Sequence, residues 1–176
     1  MSVIRYSPPD ELGDWLSTVT DWQVFVCVTF RFQVAEREAH RRFKRFCQMV
    51  ARNVAHEHLY ATWGWAPQWR EIIHFHVLFG SASERKVNLS PVEIESQWLW
   101  GNVKAEVVRN VQAAEHYILG HEYWMIPTVV CPRHAVCRRR HGCSVSPAPW
   151  PNPGEGLKRY RIQWRGRSGG VDISRR

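Results

Sequence analysis

Two histidines separated by one residue, His74-Phe75-His76, lie inside the apolar run Glu71-Ile-Ile-His-Phe-His-Val-Leu-Phe79. In an extended chain alternate side chains share a face, so both imidazoles project together, roughly 6 to 7 Å apart, and can share one metal ion. The alternative is two half-buried polar rings hydrogen-bonded on a sheet face. Tyr117 is the second chemical candidate, with Ala113, Ala114 and His121 on its side of a helix at three- and four-residue spacings. Small neighbours leave room for a substrate beside the phenol, although a tyrosine taken alone more often packs its ring in a core and hydrogen-bonds its hydroxyl. Together the two parts have a logic. A phenol of pKa about 10 is a weak nucleophile at neutral pH, and the charge of a phosphodiester repels attack. A divalent cation on the histidines would polarise the phosphate and fix an in-line geometry for Tyr117. A phosphotyrosine product would keep the bond energy, leaving a free 3' hydroxyl and a strand that can be rejoined.

The elements that must position these residues are readable from periodicity. Val24-Phe-Val-Cys-Val-Thr-Phe-Arg-Phe32 is rich in β-branched and aromatic residues and predicts a buried strand. From Val34 the period changes: Ala39, Phe43, Phe46, Val50 and Val54 are three or four apart with arginines on other faces, which predicts a long amphipathic helix. His58 to Trp63 and Glu71 to Phe79 predict an antiparallel hairpin joined through Gly64, Ala66 and Pro67. Ser90-Pro91-Val92-Glu93 combines an N-cap serine, a proline at the first helical position and an acid three after the cap, predicting a helix from Pro91 to Trp100 closed by Gly101. Asn102 to Val108 alternates like an edge strand, and Asn110 can cap a helix through Tyr117 to about His121. This order predicts an α+β fold, a central antiparallel sheet covered by helices. The expected organisation is a lead-in at 1–20, one catalytic or binding domain at 21–126 and an appendage at 127–176.

Charge is unevenly placed. Residues 1–130 carry 13 basic against 14 acidic side chains, residues 131–176 carry 11 against 2, and the net charge is +8. A basic tail attracts polyanions through counterion release, so nucleic acid is a natural partner; a solvated tail is the alternative. The five cysteines are odd in number and scattered, which argues against a disulfide framework. Cys131, His134, Cys137, His141 and Cys143 could form a small structural zinc site holding Arg138, Arg139 and Arg140 against a DNA backbone, or a loop with incidental cysteines. Among ten tryptophans, Trp63, Trp65 and Trp69 fall in the expected loop before the histidine strand, where indoles could stack on unpaired bases, while Trp98 and Trp100 read as packing residues. No apolar run approaches a membrane span, and the N-terminus lacks a secretory pattern, so a cytoplasmic location is expected.

Three motifs in order resemble the HUH endonucleases, and within them the rolling-circle replication initiators. Phe25-Val-Cys-Val-Thr-Phe-Arg31 looks like the first motif strand, His74-Phe-His-Val-Leu-Phe79 is similar to the histidine strand, and Ala114-Glu-His-Tyr-Ile-Leu-Gly-His121 resembles the nucleophile helix. The resemblance spans roughly residues 22 to 124. It implies an RRM-like sheet, Mn²⁺ or Mg²⁺ at His74 and His76, Tyr117 as nucleophile, and single-stranded DNA at a replication origin of a plasmid, phage or virus in a prokaryotic host. Arg31 joins Trp63, Trp65 and the tail arginines as candidate DNA contacts. No nucleotide-hydrolysing motif is present, so unwinding and synthesis would fall to a host helicase and polymerase. The chain departs from the pattern twice. Gly120 stands where a lysine is usual, leaving His121 either to act beside the phosphate or to cap the helix. The strand before the histidine pair has no carboxylate, so Glu71 or His58 is the candidate third ligand. A related transposase or relaxase, a non-catalytic single-strand binding module and a small zinc-stabilised interaction protein are the competing readings.

Overall fold

A computed structural model describes residues 16–68, 72–82, 87–119, 121, 123–133, 160–164 and 171–175. The fold is α+β, an antiparallel sheet with helices packed on it, as the periodicities predict. In chain order the elements are β1 (Trp22–Phe30), α1 (Glu36–Met49) continued by a π-helical stretch (Val50–Ala55), β2 (Leu59–Gln68), β3 (Ile72–Ser81), α2 (Pro91–Ser96), β4 (Gly101–Val107), α3 (Val111–Leu119), β5 (Tyr123–Val130), β6 (Tyr160–Trp164) and β7 (Val171–Arg175). The strands are ordered β4-β1-β3-β2-β5, and the β6–β7 hairpin joins β5 through the single pair Trp124↔Val171. Strand β5 crosses the expected boundary at residues 126–127, because Leu59 to Trp65 of β2 pair with it through Val130. Among the described residues no helix is long and apolar enough to cross a membrane.

Local signals account for the helix ends. The Ser90 side chain accepts from the Glu93 amide and Pro91 opens α2, while the Asn110 side chain accepts from the Ala113 amide at the start of α3. Helix α1 has Ala35 at its N-cap with no side-chain bond, and Glu36 and Glu38 in its first turn complement the helix dipole instead.

Alternation sorts the sheet into two faces. Val24, Val26, Val28, Trp63, Trp65, Phe75, Val77 and Phe79 are buried on one face with Phe43 and Phe46 of α1. Phe43 and Phe75 stack with ring centroids 4.2 Å apart and planes 6° from parallel. The opposite face carries Phe25, Cys27, Thr29, His74 and His76, and buries Leu78 with Leu16 and Ile118.

Two expectations about the hairpin are corrected here. Gly64, Trp65, Ala66 and Pro67 are not a loop: β2 runs on through them, pairing Gly64 with His76 and Ala66 with His74. Consequently Trp63 and Trp65, 5% and 4% exposed, face α1 and cannot stack on bases. Trp63 lies against Phe43, and Trp65 against His40 and Phe75. Trp98, buried between Phe30 and Phe46, is a packing residue as expected.

His40 gives this core a pH dependence. Burial, and then the nearby Lys44 charge, push its pKa down from 6.5 to about 4, and its rings of contact are Trp65 and Phe75. Above pH 6.5 the imidazole is neutral folded and unfolded. As pH falls toward 4 only the unfolded chain takes the proton, so stability is lost across that window, by at most about 3 kcal/mol from this residue. His40→Phe is expected to flatten the stability profile between pH 6.5 and 4, read by urea unfolding at a series of pH values. An unchanged slope would place the proton uptake on other residues.

Candidate functional site

Strand β3 supplies His74 and His76, adjacent on the face turned toward α3, with ring centroids 5.0 Å apart. The intervening Phe75 points into the α1 core and fixes their orientation by anchoring the strand. Helix α3 supplies Tyr117, 54% exposed. The phenol ring lies 4.8 Å from the His76 ring and edge-on to Phe25 at 5.8 Å. His121, two residues beyond the helix, turns back over the sheet 4.6 Å from His76 and 5.6 Å from His74. Its Nδ1 lies 2.8 Å from the Tyr117 carbonyl oxygen. A neutral ring that donates from Nδ1 leaves its Nε2 lone pair available.

One nitrogen from each of His74, His76 and His121 falls within 4.8 Å of the others, so the three could hold a metal ion. Donor chemistry fits. Burial first, and then His121 and His74, push His76 down to about 3; burial and then His121 lower His74; burial lowers His121. All three therefore stay neutral at neutral pH, the form that ligates. The Nδ1 atoms of His74 and His76 are buried without a hydrogen-bond partner among the described residues. A buried polar atom left in that state is costly unless something satisfies it.

Cys27, paired with His76 across β1 and β3, puts its Sγ 3.9 Å from His76 Nε2. Burial raises its pKa, so it faces the ring as a neutral thiol. The residue was not among the sequence candidates; strand register alone could have found it.

Of the two candidates for a third ligand, His58 is ruled out by distance. It precedes Leu59 at the far end of the hairpin, six positions from Gly64 opposite His76, roughly 20 Å along the strand. Glu71 lies outside the described residues. The third imidazole comes instead from His121, which the sequence reading placed as a phosphate-side helper or helix cap. Its bonds from Nδ1 to Tyr117 and from its amide to Ile118 show that it does cap the helix. Arg31 is exposed just past the end of β1, its amide bonded to the Trp100 carbonyl. Of the proposed zinc cluster only Cys131, fully buried after β5, is described; His134, Cys137, Arg138, Arg139, Arg140, His141 and Cys143 lie outside, as do Gly120 and Trp69.

No protein-family model, curated protein or solved structure matches the chain.

Proposed function

We propose that this protein nicks and rejoins single-stranded DNA through a phosphotyrosine intermediate, as the HUH replication initiators do. The observation that carries the reading is the arrival of Tyr117, from one element, over the imidazole pair of another, with His121 of its own helix end completing the cluster. A sheet face bearing ligands and a partly exposed phenol one ring's width away supply the two parts that transesterification of a phosphodiester needs. The Tyr117 oxygen would attack phosphorus as it gives up its proton, the bond from phosphorus to the 3' oxygen would break, and that oxygen would leave as a hydroxyl carrying the proton the phenol released. A bound divalent ion would contribute polarisation of the phosphate and neutralisation of developing charge. A cleft of about 550 Å³ lined by Phe25, Ala105, Glu106, Val108, Arg109 and Ala114 meets the phenol only through Phe25, whose ring stands edge-on to it, and would be the approach for a strand. The biological setting would be an origin in a prokaryotic cytoplasm, with a host helicase and polymerase.

The donor set bears on the ion. Three imidazoles with no carboxylate beside them among the described residues suit imidazole-tolerant Mn²⁺ better than oxygen-seeking Mg²⁺. Labelled single-stranded oligonucleotides of diverse sequence, incubated with the protein and Mn²⁺, are expected to yield a covalent adduct on a denaturing gel, weaker with Mg²⁺ and absent with a chelator. Tight binding of the pool without an adduct would leave a non-catalytic single-strand binding module.

A further inference from the structure

We propose that the metal ion acts as a clasp between the sheet and the tyrosine-bearing helix: His121 closes on His74 and His76 across Gly64, so that occupancy fixes the end of α3 and with it Tyr117. The proposal rests on the metal site of the reading above and not on the nicking reaction.

Gly64 is the observation that distinguishes this arrangement from a chance meeting of rings. It lies mid-strand, directly opposite His76, where a residue with a side chain would ordinarily stand on the same face. A Cβ added there would come 2.7 Å from the Ile118 carbonyl oxygen and 2.9 Å from both Cβ and Cγ of His121. One of those contacts is backbone, so the end of α3 could not stay where it is. Glycine weakens a strand interior, and a close approach of other backbone is the compensating reason to find it there. The strand is therefore cut away where the helix end rests.

The docked end then has an electrostatic problem that a bound ion would solve. His121 arrives over two imidazoles whose Nδ1 atoms are buried without partners, and Tyr117, one turn earlier, lies 5.4 Å from the His121 ring. Beyond Leu119 the capping bonds to the Tyr117 and Ile118 carbonyls tie His121 to its own helix rather than to the sheet. Closing three lone pairs on one another without an ion desolvates them for no return. With an ion between them the same closure becomes favourable, and the helix end gains a bond to β3. The Tyr117 ring moves with that end, because His121 is bonded back to the Tyr117 carbonyl.

Hydrogen–deuterium exchange of amides 117–121, read beside calorimetric Mn²⁺ titration of the full chain, tests the clasp. In wild type, saturating Mn²⁺ is expected to slow exchange at these amides at least about tenfold. His121→Phe keeps a ring against Gly64 and offers the ion no donor atom. It is expected to weaken Mn²⁺ binding by more than the roughly 10- to 100-fold that losing an orienting partner costs, and to abolish the slowing. Gly64→Ala, which retains all three imidazoles, is expected to do the same by holding His121 off the pair. Unchanged Mn²⁺ affinity in His121→Phe, or exchange at 117–121 indifferent to Mn²⁺ in wild type, would overturn the clasp. The two readings separate cleanly: Mn²⁺-dependent protection with no DNA adduct would defeat nicking and leave the clasp, whereas an adduct with metal-indifferent exchange would do the reverse.

Discussion

Tyr117→Phe is expected to fold like the wild type and to form no covalent adduct with DNA, with strand cleavage reduced about 10⁴-fold or more, the scale seen when an enzyme loses its nucleophile. The ring's contacts are edge-on to Phe25 and to the His76 and His121 rings, and all of them survive loss of the hydroxyl. The side chain is 54% exposed, so its stability effect should stay within about 0.5 kcal/mol. Chemistry should change without structure, and circular dichroism with thermal melting checks the second half. Tyr60 is the tyrosine to watch as a substitute. It lies on the same sheet face, but four positions from Gly64 on β2, roughly 13 Å away along the strand, and burial raises its pKa. It cannot reach a phosphate seated over His76. An adduct that persists in Tyr117→Phe would therefore remove Tyr117 from the mechanism.

The parts of the architecture that were legible in the sequence are those governed by period. Val24, Val26 and Val28 alternate, Ala39, Phe43 and Phe46 recur at helical spacing, and Ser90 and Asn110 announce the helices they cap; each does in the fold what its spacing implies. The pairing of His74 with His76 on one face follows from the same rule. What was not legible depends on contacts between elements distant in the chain. Gly64 and Pro67 read as punctuation because glycine and proline usually interrupt strands. Yet Gly64 is needed inside β2 by the end of α3, more than fifty residues on. A strand ended at Trp63 by that rule puts Trp65 in a loop and hides its alternation with Gly64 and Ala66. The spacing of His121 from Tyr117 marks it as a residue of interest, but no local rule says that a residue past a helix end folds back over another strand's histidines. The same holds for Cys27, whose place beside His76 is a matter of register.

Trp65→Ala is expected to cost about 3 to 5 kcal/mol of stability, a third or more of what many domains possess, and its effect on DNA should follow only from unfolding. Trp65 is 4% exposed, stands edge-on to His40 at 4.7 Å and leans on Phe75 at 6.5 Å. Truncation leaves a cavity beneath the residue that separates His74 from His76, bounded by a sheet and a helix that cannot simply collapse together. Chemical denaturation should therefore show a lower midpoint, and Trp65→Phe should recover much of the loss by keeping a ring in place. Base stacking predicts the opposite pattern: an unchanged midpoint with single-strand binding weaker by about 1 to 3 kcal/mol. Measuring both quantities on both variants decides between them, and a stable Trp65→Ala that binds DNA poorly would mean that β2 does not present its indoles to α1. If the midpoint falls as expected, the aromatic layer of Trp63, Trp65, Phe43 and Phe75 is the rigid backing of the histidine pair. A DNA strand, if the proposed reading holds, would then lie on the opposite face, around Phe25, Arg109 and Tyr117.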